Sequence, residues 1–281
     1  MRTARKLLAR SLGLPHDSWS GISIVLAGWL LTLVAARGLF VNMGNLAPAD
    51  WDYFATLHEV ARKTILEYEQ FPWWNPFMAG GMPLFASTQL MFLSPVMPLV
   101  LLFGSLPGLK LGLGLHFLIG FEGARRLASR FTEKQLYQVL AGAIFTWNGA
   151  QILGANTGLL GHIQNFYLPW LLFFALGLST SFRSAIGLGI ATGFMMCVDI
   201  HYNNFYAFFF LGIGLLLLFI RSPEWRRLIV NRAAAAMLLA VAFSGFRVWS
   251  AWQFFSGYPR VTERPMHLTG ELLLCIFLQL F

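Results

Sequence analysis

Residues 90–104 read LMFLSPVMPLVLLFG, an apolar run interrupted by Pro95 and Pro98. Whether it crosses a bilayer decides the fold, because every later segment changes side with the answer. Crossing a hydrocarbon core of ~30 Å takes roughly 20 apolar residues, and a shorter, proline-broken run suits an interfacial or re-entrant segment. Seven other runs read as spans: 21–41, 109–128, 136–155, 163–180, 185–200, 204–221 and 233–255.

Charge makes the choice. With 90–104 not crossing, the inside segments carry Arg2, Arg5, Lys6 and Arg10, then Arg125, Arg126, Arg130 and Lys134, then Arg183, then Arg221, Arg226, Arg227 and Arg232, which is thirteen of the twenty basic residues. A crossing at 90–104 would put Arg125, Arg126 and Arg130 outside, against the positive-inside rule. The sequence therefore predicts an all-α transmembrane helix bundle of about seven spans. Residues 1–20 form a basic cytoplasmic N-terminus, 21–255 the membrane module, 42–108 an extracytoplasmic loop, and 256–281 an extracytoplasmic segment with a short apolar end. In this layout Asp50, Asp52, Glu59, Glu67, Glu69, Asp199 and Glu263 are external, against Asp17, Glu133 and Glu224 inside. Acids contribute little to insertion, so their bias points to work on the outer face.

Composition agrees. The 281 residues are 57% hydrophobic and 11% charged, with a mean hydropathy of +0.63; ordinary soluble domains are about 25% charged. The net charge of +8 orients loops before it says anything about nucleic acid, and no nucleic-acid partner is expected. MRTARKLLAR, followed by GISIVLAGWLLTLVAARGLFV, resembles a secretory signal, and APA (47–49) imitates a cleavage site. Its apolar run exceeds the roughly 7–15 residues of a signal core, so it reads as an uncleaved first span of a plasma-membrane protein. Cys197 and Cys275 lie in apolar stretches and read as inert thiols, with no disulfide framework.

The external loop opens with ADWDYFATLHEVARKTILEYEQ. Phe54, Leu57, Val60, Ala61, Ile65 and Leu66 recur at helical spacing, while Glu59, Arg62, Lys63 and Glu67 take other faces. This is an amphipathic helix suited to lying on the outer leaflet. Asp50 and Asp52 start it, either as caps, worth ~1 kcal/mol, or as functional acids. Aromatic, Pro and Gly residues punctuate FPWWNPFMAGGMPLFAS as an ordered loop, with Trp73 and Trp74 at headgroup depth. Further along, HIQNFY from His162 and HYNNFY from His201 repeat 39 residues apart. Two readings stay open: an interfacial belt, or two hairpins presenting His162, Asn165, His201 and Asn204 to one external pocket.

The stretch from ADWDYF through FPWWNPFMAGGMPLFAS and LMFLSPVMPLVLLFG, with LKLGLGLHFLIGFEGARRL and GLLGHIQNFYLPW, resembles the YfhO-type bacterial membrane proteins of the GT-C superfamily of integral-membrane glycosyltransferases. The resemblance spans about residues 20–265 and is strongest over 49–104. It implies an inverting transferase that takes sugar from a polyprenyl-phosphate donor on the outer face and passes it to an envelope glycan, lipid or protein. It further implies a carboxylate early in the first external loop acting as base, often with a divalent cation (Mg or Mn). Asp50 and Asp52 are then the catalytic candidates, and Asp50, Asp52, His58 and Glu59 the candidate metal ligands. The external cations Arg62, Lys63, Lys110, Arg260 and Arg264 are available for the donor phosphate. The lysine-proline-proline element of related aminoarabinose and mannosyl transferases is replaced here by GGMPL. Two other readings remain: a lipid-linked glycan transporter, suggested by the HxxNFY echo, and a non-catalytic, truncated membrane subunit, suggested by the short final run HLTGELLLCIFLQLF.

Overall fold

Helices account for nearly all the ordered backbone. The computed structural model describes residues 19–257 apart from 47, 79, 200, 201 and 222; His201, Arg260 and Arg264 lie outside the described residues. In chain order the helices are α1 (Trp19–Ala35), α2 (Arg37–Val41), α3 (Trp51–Leu66), α4 (Val96–Phe103), α5 (Ser105–Ala128), α6 (Gln135–Thr146), α7 (Gly149–Thr157), a 3₁₀ helix (Leu160–Tyr167), α8 (Leu168–Leu176), α9 (Phe182–Val198), α10 (Tyr202–Arg221), a 3₁₀ turn (Pro223–Trp225) and α11 (Arg226–Gly257). A short antiparallel pair joins β1 (Trp74–Asn75) to β2 (Met82–Pro83), with Trp74 opposite Pro83. The expected all-α class is found.

The expected count of seven spans is not reached. Among the described residues one helical stretch, Pro223–Phe254, is long and apolar enough to cross a membrane; Ile22–Ala35, Phe182–Val198 and Tyr206–Arg221 are apolar but shorter. The reasons are local. Run 136–155 divides at Trp147–Asn148, where the Asn148 side chain caps α7 by accepting from the Gln151 N–H at 3.1 Å. Run 163–180 opens as a 3₁₀ helix, which leaves α8 only nine residues. Helix α5 has 24 residues but carries Lys110, Glu122, Arg125 and Arg126. Large apolar side chains nonetheless stand exposed along α11, among them Leu238, Val241, Phe246, Trp249 and Trp252, a surface of the kind that marks lipid or a protein partner.

At 90–104 the chain turns back on itself. Helix α4 is eight residues, about 12 Å long. Gly104 then takes φ +89°, a conformation costly for other residues, and α5 runs back along α4. Gly108 and Gly112 allow the close approach: a Cβ at Gly108 would collide with the Val100 backbone, and one at Gly112 would come 2.9 Å from Val96.

Helix α3 buries Trp51, Phe54, Ala55, Leu57, His58, Val60 and Ala61, packing on α4 and α5. The apolar face expected to rest on a leaflet is therefore covered largely by protein. The loop between α3 and α4 is tied to the last helix. Buried Arg247 of α11 donates to the carbonyls of Phe85 (2.7 Å), Ser87 (2.8 Å) and Thr88 (3.2 Å). At the far end of α5, Arg125 grips Glu122 through two bonds of 2.7 Å, Arg126 shares that carboxylate, and Trp29 donates to it at 3.3 Å.

Candidate functional site

The start of α3 is locked onto the segment after α7. The Trp51 indole N–H donates to the Ala155 carbonyl at 3.0 Å, and the Asp50 N–H to Thr157 at 3.0 Å. Gly158, with φ +71°, lies so close to Trp51 that a Cβ there would strike the Trp51 backbone nitrogen. This seating leaves a cleft of about 520 Å³ between the end of α1, α2, the start of α3, α5 and α7, lined by Asn42, Asn45, Trp51, Lys110, Trp147 and Asn156 among others. Phe117 and Trp147 also line it and stack nearly parallel, with centroids 4.9 Å apart.

Lys110 supplies the cleft's charge. Its ammonium donates to the Asn42 and Asn45 carbonyls and lies 5.7 Å from the centre of the Trp51 ring. An ammonium has three donors; two neutral carbonyls leave its charge uncancelled. No ion pair involves Lys110 among the described residues. The side chains of Asp50 and Asp52, flanking Trp51 in sequence, are exposed. Asp50 makes no side-chain capping bond, and Asp52 accepts only from its neighbour Tyr53 N–H, at 2.7 Å. The capping reading of Asp50 is thus not realised. The arrangement offers a buried cation facing a cleft, an aromatic wall, and two solvated carboxylates at the first turn of the adjoining helix.

The residues expected to hold a metal do not gather into a cation site. His58 is buried with both ring nitrogens engaged: Nδ1 donates to the Phe54 carbonyl at 2.8 Å, and Nε2 accepts from the Met91 N–H at 3.2 Å. These partners assign the neutral tautomer, and burial lowers its pKa to about 4. The imidazole fastens α3 to the loop at Met91 and has no lone pair left for a metal. Glu59 is clasped by Arg62 through bonds of 2.6 and 2.9 Å, and this hydrogen-bonded partner holds its carboxyl below the ordinary range. Among the described residues no three His, Cys, Asp or Glu side chains converge as metal ligands.

The other expected residues divide. Arg62 is committed to Glu59, and Lys63 lines a separate groove with Thr56, Tyr68 and Phe77, about 18 Å along α3 from Trp51. Neither joins Lys110. His162 lies half-buried over Gly154 of α7, where a Cβ would come 3.6 Å from its Nδ1. Asn165 is half-buried in the 3₁₀ helix, and Asn204 is buried, donating to the Asp199 carbonyl at 2.8 Å. With His201 outside the described residues, the two HxxNFY copies are not seen to share a pocket. Sequence reasoning missed Trp51, Trp147 and Asn156 as cleft walls. Trp51, set between the two aspartates, was the available signal for the first; nothing local marked the others.

No protein-family model matches the chain, and neither the curated proteins nor the solved structures gave a match.

Proposed function

We propose that this chain is a membrane glycosyltransferase that moves sugar from a polyprenyl-phosphate donor to an envelope glycan, lipid or protein at the outer face of a bacterial plasma membrane. The carrying observation is buried Lys110, which has no ion pair among the described residues and faces a cleft whose wall, Trp51, stands between Asp50 and Asp52 in sequence. In this reading the bundle makes about seven crossings, the N-terminus is cytoplasmic, and the cleft opens outward. Helices too short to cross singly then combine in consecutive pieces, α6 with α7 and the 3₁₀ helix with α8.

The chemistry asks for three things. One carboxylate, Asp50 or Asp52, takes the proton of the acceptor hydroxyl as its oxygen attacks the anomeric carbon. The bond from that carbon to the donor's phosphate oxygen breaks with inversion, through an oxocarbenium-like transition state. The departing lipid phosphate carries the negative charge, which Lys110 meets inside a low-dielectric cleft where such stabilisation is strongest. Asn42, Asn45 and Asn156 offer polar contacts, and the stacked Phe117–Trp147 pair an apolar surface.

The test begins with lipid-linked glycan analysis of a deletion strain, to find which decoration disappears. The wild-type gene should restore it, and an Asp50→Asn/Asp52→Asn double variant inserted at equal abundance should not. Restoration by that variant would remove the assigned roles. Reporter fusions at Arg126 should report the cytoplasm; a periplasmic signal would overturn the sidedness.

A further inference from the structure

One end of the bundle carries charge that the Lys110 cleft does not use. Arg130 follows α5, Lys134 precedes α6, Arg183 lies in the first turn of α9, and Arg226, Arg227 and Arg232 lie in the first two turns of α11. Contacts bring these element ends together. The Arg130 guanidinium lies over Phe173 of α8, 4.5 Å from its ring centre. Its Nη2 also stands 2.9 Å from where a Gly177 Cβ would sit, a point that would collide with Ser184 Oγ of α9. Arg232 donates to the Leu178 carbonyl at 2.6 Å, and Arg226 to the Phe219 carbonyl of α10 at 3.1 Å. The ends of α5, α8 and α10 therefore meet the starts of α6, α9 and α11.

All of these cations but Arg232 are exposed, and among the described residues no ion pair involves any of the six. The acids at this end are Glu133, Glu224 and Glu122, the last already serving Arg125 and Arg126. Like charges gathered in excess repel one another, and an outside anion relieves that repulsion. The neighbours of the cations select the anion. Phe131, Phe182 and Trp225 are 76%, 56% and 47% exposed, and they adjoin Arg130, Arg183 and Arg226 in sequence. A free phosphate gives a phenyl ring nothing to bury against. A phospholipid offers its phosphate to the guanidinium and its acyl chain to the ring. The helical stretch long and apolar enough to cross a membrane, Pro223–Phe254, begins at this same end. We propose that this end of the bundle is a docking surface for anionic phospholipid headgroups. The surface rests on the membrane reading above but on no transfer chemistry.

The test uses the full chain in phosphatidylcholine vesicles that carry a trace of spin-labelled phosphatidylglycerol or spin-labelled phosphatidylcholine. Electron paramagnetic resonance reads the fraction of each label immobilised against the protein. Phosphatidylglycerol should be held about fivefold more strongly or better, the equivalent of one or more basic residues at an anionic headgroup, and about 1 M NaCl should reduce the preference. Arg130→Gln/Arg183→Gln/Arg227→Gln should cut the preference to less than about half at an unchanged melting temperature; Arg232 is kept because it bonds Leu178. Should that variant unfold, Arg183→Gln/Arg227→Gln, whose side chains are exposed, decides by the same criterion. Lys63→Gln should leave the preference intact, since its groove includes Ser105 at the opposite end of α5. A preference untouched by the arginine variants, removed equally by Lys63→Gln, or abolished by inorganic phosphate at matched ionic strength would overturn the surface. Equal immobilisation of the two labels would remove this surface alone, whereas immobilisation of neither would overturn the membrane reading itself.

Discussion

Lys110 and Arg125 lie on one helix, α5, about 22 Å apart along its axis. Both are buried, at 3% and 1% exposure, yet their surroundings differ in kind. Arg125 has a carboxylate in a two-bond grip, and a second arginine and an indole share the same acid. There the buried arginine has a carboxylate of its own to meet, and the cluster ties α1 to α5; the Gln138 side chain, 3.4 Å from Arg125, brings in α6. Among the described residues Lys110 meets only main-chain carbonyls and a ring face, and beyond them lies a cleft. A carbonyl orients an ammonium but does not neutralise it. The lesson is that burial alone does not make a charge a functional candidate; a buried charge with no ion pair and a cleft beside it is the better one.

The comparison breaks most readily at the Arg125 end. Glu122→Ala leaves Arg125 and Arg126 without their shared carboxylate, and stranding one partner of a buried pair costs about 3–5 kcal/mol. Thermal unfolding in detergent should register a large drop; an unchanged midpoint would show that the cluster is not what holds this end. His58 sharpens the contrast, because it is a closed group at the open end. Its folded pKa, about 4, lies below the 6.5 of an unconstrained imidazole. The unfolded chain therefore takes up a proton on acidification before the folded one can. The contribution is full above pH ~6.5 and lost as pH falls towards 4, by about 3 kcal/mol at most. A His58→Gln variant should show a shallower slope over this range, and an unchanged slope would place its origin elsewhere. At the open end, Lys110→Met should lower kcat/KM for the lipid-phosphate donor about a hundredfold, with little change in melting, since an apolar residue of similar length replaces an unpaired cation. A collapse in stability instead would make Lys110 a structural residue like Arg125.

Much of this was legible in the chain. Pro95 and Pro98 marked 90–104 as an interfacial or re-entrant segment, and the structure folds it as a short helix that lies against its successor. The spacing of Phe54, Leu57 and Ala61 foretold an apolar face on α3 but assigned it to a leaflet, whereas protein covers it and His58 lies buried with it. The division of 136–155 was hidden, because one asparagine barely lowers the hydropathy of a twenty-residue window; what breaks the helix is Asn148 turning its side chain back to cap α7. The cleft was hidden for a different reason. Trp147 and Asn156 join Lys110 in the cleft lining through long-range packing, which leaves no periodic trace in either segment.

The Arg247 anchor has a consequence in time. Phe85 precedes Arg247 by 162 residues, so at roughly 5–20 residues per second a ribosome adds the arginine on the order of ten to thirty seconds later. Through that interval three carbonyls of the first loop wait for donors still to be synthesised. The hydrogen bonds that close this early loop thus depend on the arrival of the final described helix.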